Sequence, residues 1–197
     1  MIDSLEALRA LYPPARERAL LKQLPSLDAH ARRFIALSPF LVVASGGDGA
    51  LDASPRGGPP GFVQVVDAHT LLIPDSPGNN RLDTLENIVH AGRVGLLFMV
   101  PGVDETLRVN GAARLSTSPE RLARFDGAGR SPRLVIEVTV AEAYLHCAKA
   151  LMRSRLWQAE ARAEGRALPT MGEMISDQTG APLESQADML ARYAADL

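Results

Sequence analysis

One stretch, Pro74 to Gly111, limits the folds open to this chain more than any other. Its centre is the apolar run Val94-Gly95-Leu96-Leu97-Phe98-Met99-Val100. That is the length of a strand, predicted to be buried on both faces, and far too short to span a bilayer. Ahead of it lies the turn-rich segment Pro74-Asp75-Ser76-Pro77-Gly78-Asn79-Asn80-Arg81, then a helical pattern to about Ala91 with Gly92 as its stop. Asn80 is the predicted N-cap, with Asp83 as its capping-box partner, and Leu82, Leu85, Ile88 and Val89 share one face. Unpaired N–H groups at such a helix start, with Arg81 among them, suit a phosphate or other anion. Arg108, on the strand that follows, is a second candidate ligand. The same residues also fit an ordinary turn with a capped helix and a solvated arginine.

The surrounding periodicity is that of short strands. Phe40–Ala44 is apolar, Gly46-Gly47-Asp48-Gly49 is turn material, and 50–54 reads as a return strand. Ser54 to Gly61, rich in proline and glycine, reads as a loop. Phe62–Val66 and Thr70–Pro74 form a predicted hairpin about Asp67-Ala68. Thr106–Leu115 and Leu134–Val140 complete the strands, with a short helix from Thr117-Ser118-Pro119-Glu120 and a loop at 127–129 between them. Hairpin-linked strands outnumbering long helices predict an antiparallel barrel, mainly β with helices. Residues 1–37 read as a helical extension: a helix over 3–12 capped by Asp3, a second from Pro14 to Leu24, and a third from the cap Asp28 to Leu37. Residues 38–160 form the barrel. Residues 161–197 form a loop-rich tail, with a last helix near 186–195, that packs on it within one domain.

Composition narrows the function. The 197 residues are 46% hydrophobic, and 21 basic against 23 acidic groups leave a net charge of −2. No global field favours nucleic acid or an anionic membrane, so any basic site must be local. The lone Cys147 allows no intrachain disulfide, and the four histidines, His30, His69, His90 and His146, lack metal-ligand spacing. Glu86 and His90 read as a surface pair. No nucleophile elbow is present. The start, Met-Ile-Asp-Ser-Leu-Glu, does not read as a signal peptide, and the cytoplasm is the expected compartment.

Ala143 to Trp157 reads as one helix, with Ala148, Leu151, Met152 and Leu156 as its core stripe. Lys149, Arg153 and Trp157 lie four apart on a neighbouring stripe. Such a face could close over an anionic aromatic ligand, or be a solvated basic side with one buried tryptophan.

Two blocks, Pro77 to Ile88 and Pro101 to Gly111, carry the patterns P-G-N-x-R-x-D-x-L-x-N-I and P-G-x-x-E-T-L-R-V-N-G. By them the chain resembles the pyridoxamine phosphate oxidase-like FMN-binding split-barrel proteins, over roughly Ser38 to Trp157. The resemblance implies a homodimer that binds FMN at its interface. It implies an oxidoreductase passing hydride or electrons to a small-molecule substrate, with NADH or NADPH as a possible donor. It further implies phosphate contacts from Asn80, Arg81 and Arg108, and a polar contact from Thr106. Ring contacts would come from Ser54, Pro55, Arg56, Leu72 and Ile73, with Lys149, Arg153 and Trp157 walling the site. No side chain reads as a catalytic acid or base. The late Trp…Arg-x-His-Asp/Glu-Arg element of true pyridoxamine phosphate oxidases has no counterpart after Trp157, which argues against vitamin B6 oxidation. A non-catalytic flavin binder or sensor, or a haem- or deazaflavin-binding relative, are the alternatives.

Overall fold

The structure, a computed structural model, describes residues 1–47, 50–76, 78–127, 131–163 and 167–194. The predicted turn residues Asp48 and Gly49, the motif residue Pro77, most of the 127–129 loop and position 195 of the last helix lie outside them.

Among the described residues, seven strands form one antiparallel sheet: β1 (Phe40–Gly47), β2 (Ala50–Gly57), β3 (Gln64–Val65), β4 (Thr70–Pro74), β5 (Arg93–Met99), β6 (Thr106–Ser116) and β7 (Val135–His146). Their order is β2-β1-β5-β6-β7-β4-β3. Strand alternation turns Leu41, Val43, Leu96, Phe98, Leu107 and Val109 to one side, where they pack with Leu71, Ile73, Ile136 and Val138 as the barrel core. Leu27, Ala31 and Ile35 close one end of it from α3 (Ala29–Leu37) and the segment before it. Asp28 caps α3 as predicted, accepting from the Ala31 N–H at 2.7 Å. Leu85 and Ile88 of α4 (Asp83–Ala91) cover the core beside β1. The bulge at Asn110/Gly111 lets the long strand β6 bend against β7.

β4 pairs with only the first half of β7, Val135 to Thr139. Past it, Leu24 takes the vacant edge: its N–H donates to the Ala143 carbonyl at 3.0 Å, and the Ala143 N–H returns a bond at 2.8 Å. The N-terminal segment, with α1 (Leu5–Arg9) and α2 (Glu17–Leu21), is thereby tied to the barrel.

Several expectations change. Helix α1 is shorter than predicted and capped by Ser4, not Asp3. The loop expected from Ser54 does not start there: β2 runs through Pro55 to Gly57, because it is an edge strand and an edge tolerates a missing N–H. β5 is buried on one face only, with Leu97 and Met99 half-buried on the other. Residues 143–146 are strand, since pairing with β6 continues to His146. The helix after them, α6 (Lys149–Ser154), is six residues long. Met152 and Leu156 of its expected core stripe are 59% and 49% exposed. The segment after Gly165, expected to be loop before the last helix, contains α7 (Met171–Thr179) ahead of α8 (Gln186–Ala194). A short helix, α5 (Pro119–Leu122), completes the set.

Candidate functional site

The loop into α4 is where prediction and structure differ most usefully. Asn80 does not cap the helix. It adopts φ 58°, Leu82 adopts φ 62°, and α4 starts at Asp83. Asparagine tolerates the left-handed region, but a leucine there costs about 1–2 kcal/mol. Leu82 is half-exposed, and Val89, expected on the core face, is 70% exposed. The buried face is instead Thr84, Leu85, Asn87 and Ile88. Gly92 ends the helix at φ 63°, as predicted.

No side chain caps the start of α4. Among the described residues its first N–H groups thus have no side-chain acceptor, although Thr84 and Leu85 are buried; Arg81 lies beside them, its Nε donating to Asp83 Oδ2 at 2.9 Å. Behind the helix runs a polar seam. Ser54 Oγ donates to Asp52 Oδ1 at 2.8 Å, the Thr84 hydroxyl donates to Asp52 Oδ2, and Arg56 Nη2 donates to Thr84 Oγ1 at 3.3 Å. Farther along, Asn87 Nδ2 donates to Ser45 Oγ at 3.2 Å. The seam fixes Arg56 next to the helix start, with a second guanidinium and Asp75 close by. Burial holds the Asp75 carboxyl above its ordinary range, against the opposing pull of Arg56 and Arg133. Ser54 and Arg56 thus join the neighbourhood of Asn80 and Arg81. Pro55 does not, because it pairs with Val42 and faces the other side of the sheet.

Arg108 belongs to a second cluster on that opposite face. It opposes Leu97 on β5 and Tyr144 on β7, and its guanidinium lies 5.9 Å from the Tyr144 ring centroid. Thr106, 9% exposed, sits two residues earlier on the same side and opposes His146. Trp157 adjoins this cluster rather than a helical stripe. Lys149 and Arg153 share a face of α6, but Arg155 at φ 52° ends the helix, so Trp157 leaves their stripe. The indole Nε1 donates to the Val103 carbonyl at 2.9 Å, docking Trp157 on the turn before Thr106.

Leu72 and Ile73 have fully buried side chains pointing to opposite faces. Ile73 enters the barrel core, and Leu72 enters a small outer cluster with Val135 and Phe125. Neither residue exposes any surface to a ligand, and β4 is paired with a strand on each side. Beside Leu72, Glu137 is 6% exposed and held by two arginines, Arg114 from the neighbouring strand and Arg121 from α5 at 2.8 Å. This buried, fully paired carboxylate reads as a clamp on the sheet.

A profile of the pyridoxamine 5'-phosphate oxidase family matches residues 27–147. The chain belongs to this family. The family's antiparallel split barrel is the fold described above, and membership supports flavin binding. HupZ of Group A Streptococcus shares the fold at 16% identity and TM-score 0.50, over 60% of this chain and 93% of that one; a point variant of the same protein aligns equally, over 60% and 98%. The FAD-binding protein of Mycobacterium smegmatis aligns at 15% identity and TM-score 0.45, over 62% and 97%. No curated protein is significantly similar in sequence.

Asp52, Thr84 and Tyr144 were not singled out from sequence. Thr84 and Asn87, three apart on an otherwise apolar helix face, were the available signal for a polar seam. Tyr144 was hidden by the helical reading of its segment.

Proposed function

We propose that this protein binds FMN, with the terminal phosphate at the start of α4, and uses it as an oxidoreductase on a small-molecule substrate. One observation carries the reading: the helix start lacks a side-chain cap, and Arg81 and Arg56 flank it. Orphan N–H donors, the positive end of the helix and two guanidiniums fit a dianionic phosphate. Arg56 is pre-positioned by Thr84. Arg81 needs only to leave an exposed pair with Asp83, which costs little. Bound flavin would supply hydride or electron transfer, with NADH or NADPH as the reductant. The chain's part is to anchor the phosphate, hold the ring and exclude water.

Arg108, Thr106 and Trp157 lie on the face opposite the phosphate loop. In this reading they serve a flavin bound to a second copy, in a homodimer with two equivalent sites. The half-buried apolar side chains Val42, Leu97 and Met99 on that face favour such pairing.

The test compares FMN with riboflavin on the purified protein. Each charge-assisted hydrogen bond to the phosphate is worth about 1.5–3 kcal/mol, so FMN should bind at least about tenfold tighter. Light scattering should give twice the chain mass, and NADH or NADPH should bleach the flavin band. Equal affinity for the two flavins would refute the phosphate site.

A further inference from the structure

We propose that the cavity between the N-terminal segment and the end of β7 is a second binding site, for a carboxylate carried on an apolar body. It goes beyond the flavin reading and shares no lining residue with the phosphate loop. The cavity measures about 590 Å³, within the range of small-molecule pockets. Its walls are mostly apolar: Leu24, Ala31, Leu107, Ala143 and Leu145, with the Tyr144 ring. These walls are fixed. Leu24 is bonded twice to Ala143, and Lys22 Nζ donates to the Leu145 carbonyl at 2.6 Å while lying 5.7 Å from the Tyr144 centroid.

The rim is cationic. Arg16, Arg18 and Lys22 line it, and among the described residues the only acid in the lining is Asp28. That carboxylate already accepts the Ala31 N–H as the cap of α3. Among the described residues, neither Arg16 nor Arg18 has a side-chain hydrogen bond or ion pair. On a chain of net charge −2, this concentration of cations over an apolar floor, two of them without partners, is local. It matches a ligand with one anionic end and an apolar remainder. An unbranched aliphatic acid fits both requirements: its chain would lie along Leu107 and Tyr144, and its head would meet Arg16 and Arg18. A neutral ligand of the same shape would gain the floor but not the rim.

Decanoate and decan-1-ol, titrated calorimetrically into the full-length protein with its flavin content measured in the same sample, test this. Decanoate should bind with one site per chain, at least about tenfold tighter than decanol, and weaken as salt rises. R16Q/R18Q alters two exposed side chains without partners, so it should keep the parent's melting temperature. It should lose about tenfold in decanoate affinity and nothing in decanol affinity. Equal binding of acid and alcohol, a salt-independent affinity, or unchanged decanoate binding by R16Q/R18Q would overturn the proposal. So would release of one flavin per decanoate bound, which would make this cavity the flavin site. The titration reads the same on flavin-free protein, so absence of flavin would count against the FMN reading and leave this one standing or falling on decanoate.

Discussion

Arg81 is bound by the first residue of the helix it precedes: its Nε lies 2.9 Å from Asp83 Oδ2. Both side chains are largely solvent-facing, at 73% and 46% exposed, so the pair contributes at most about 1 kcal/mol. A phosphate at the helix start would compete with Asp83 for the same guanidinium. Arg81→Ala should weaken FMN about tenfold to a hundredfold. Asp83→Asn removes the competitor and one negative charge, and should tighten FMN by a few-fold. Flavin fluorescence titrations of both variants check this, and an affinity lowered by Asp83→Asn would place the phosphate elsewhere.

Trp157 is the chain's only tryptophan, and the turn before Thr106 holds it. If Thr106 and Arg108 face the flavin of a second copy, Trp157 emission should be quenched by bound FMN and return when FMN is removed. Trp157→Phe keeps a ring but loses the bond to Val103, at about 0.5–1.5 kcal/mol of stability. Emission indifferent to FMN would move this segment away from the flavin.

Gly111 sits at the β6 bulge, and a Cβ there would lie 2.1 Å from the Thr139 carbonyl oxygen. That contact is with the backbone of the neighbouring strand, which cannot swing aside. Gly111→Ala should cost about 1–3 kcal/mol, the usual range for overpacking, and lower the melting temperature whether or not flavin is present. A variant as stable as the parent would mean the two strands can part at the bulge.

Asp75 gives the stability a pH dependence. Its carboxyl is raised above 3.8, chiefly by burial, with Arg56 and Arg133 opposing. A raised acid favours its neutral form in the folded state. Its contribution is fully present below 3.8 and is lost as pH rises through the higher folded value. Asp75→Asn, neutral throughout, should therefore melt no lower than the parent at about pH 7, with any advantage vanishing by about pH 3. Thermal melts across that range decide it, and a variant clearly weaker at neutral pH would show that the ionised carboxylate is needed.

The barrel was legible where local and long-range preferences agree. Phe40–Ala44 was visible as a strand by its apolar run, the cap of α3 by Asp28, and the end of α4 by Gly92. Errors fell where pairing overrides local preference. Pro55 looked like loop chemistry but lies on an edge. Tyr144 and Leu145 suit a helix but are held as strand by β6. The helix start at Asn80 failed because Asn80 and Leu82 both take positive φ, which composition alone does not reveal. The Lys149–Arg153–Trp157 stripe failed for the same reason at Arg155. The box that starts α7, Thr170 with Glu173, is readable by its spacing, yet the loop-rich surroundings masked it. The candidate basic residues Arg56, Arg81 and Arg108 are legible in the sequence, but their division between two faces of the sheet is not, because it depends on strand register.

The pairing of Leu24 with Ala143 also orders events during synthesis. Gln23, next to it, reaches its partner Glu142 across 119 positions. Leu27 can bond to Ala68 as soon as the β3–β4 turn is made, but Leu24 has no partner until all of β1 to β6, and most of β7, have followed it from the ribosome. Through that interval Leu20 and Leu21, still 59% and 69% exposed in the finished fold, travel unprotected. A segment made ahead of the whole barrel is among the last to dock on it, and it is there that a nascent chain would most need shielding from its neighbours.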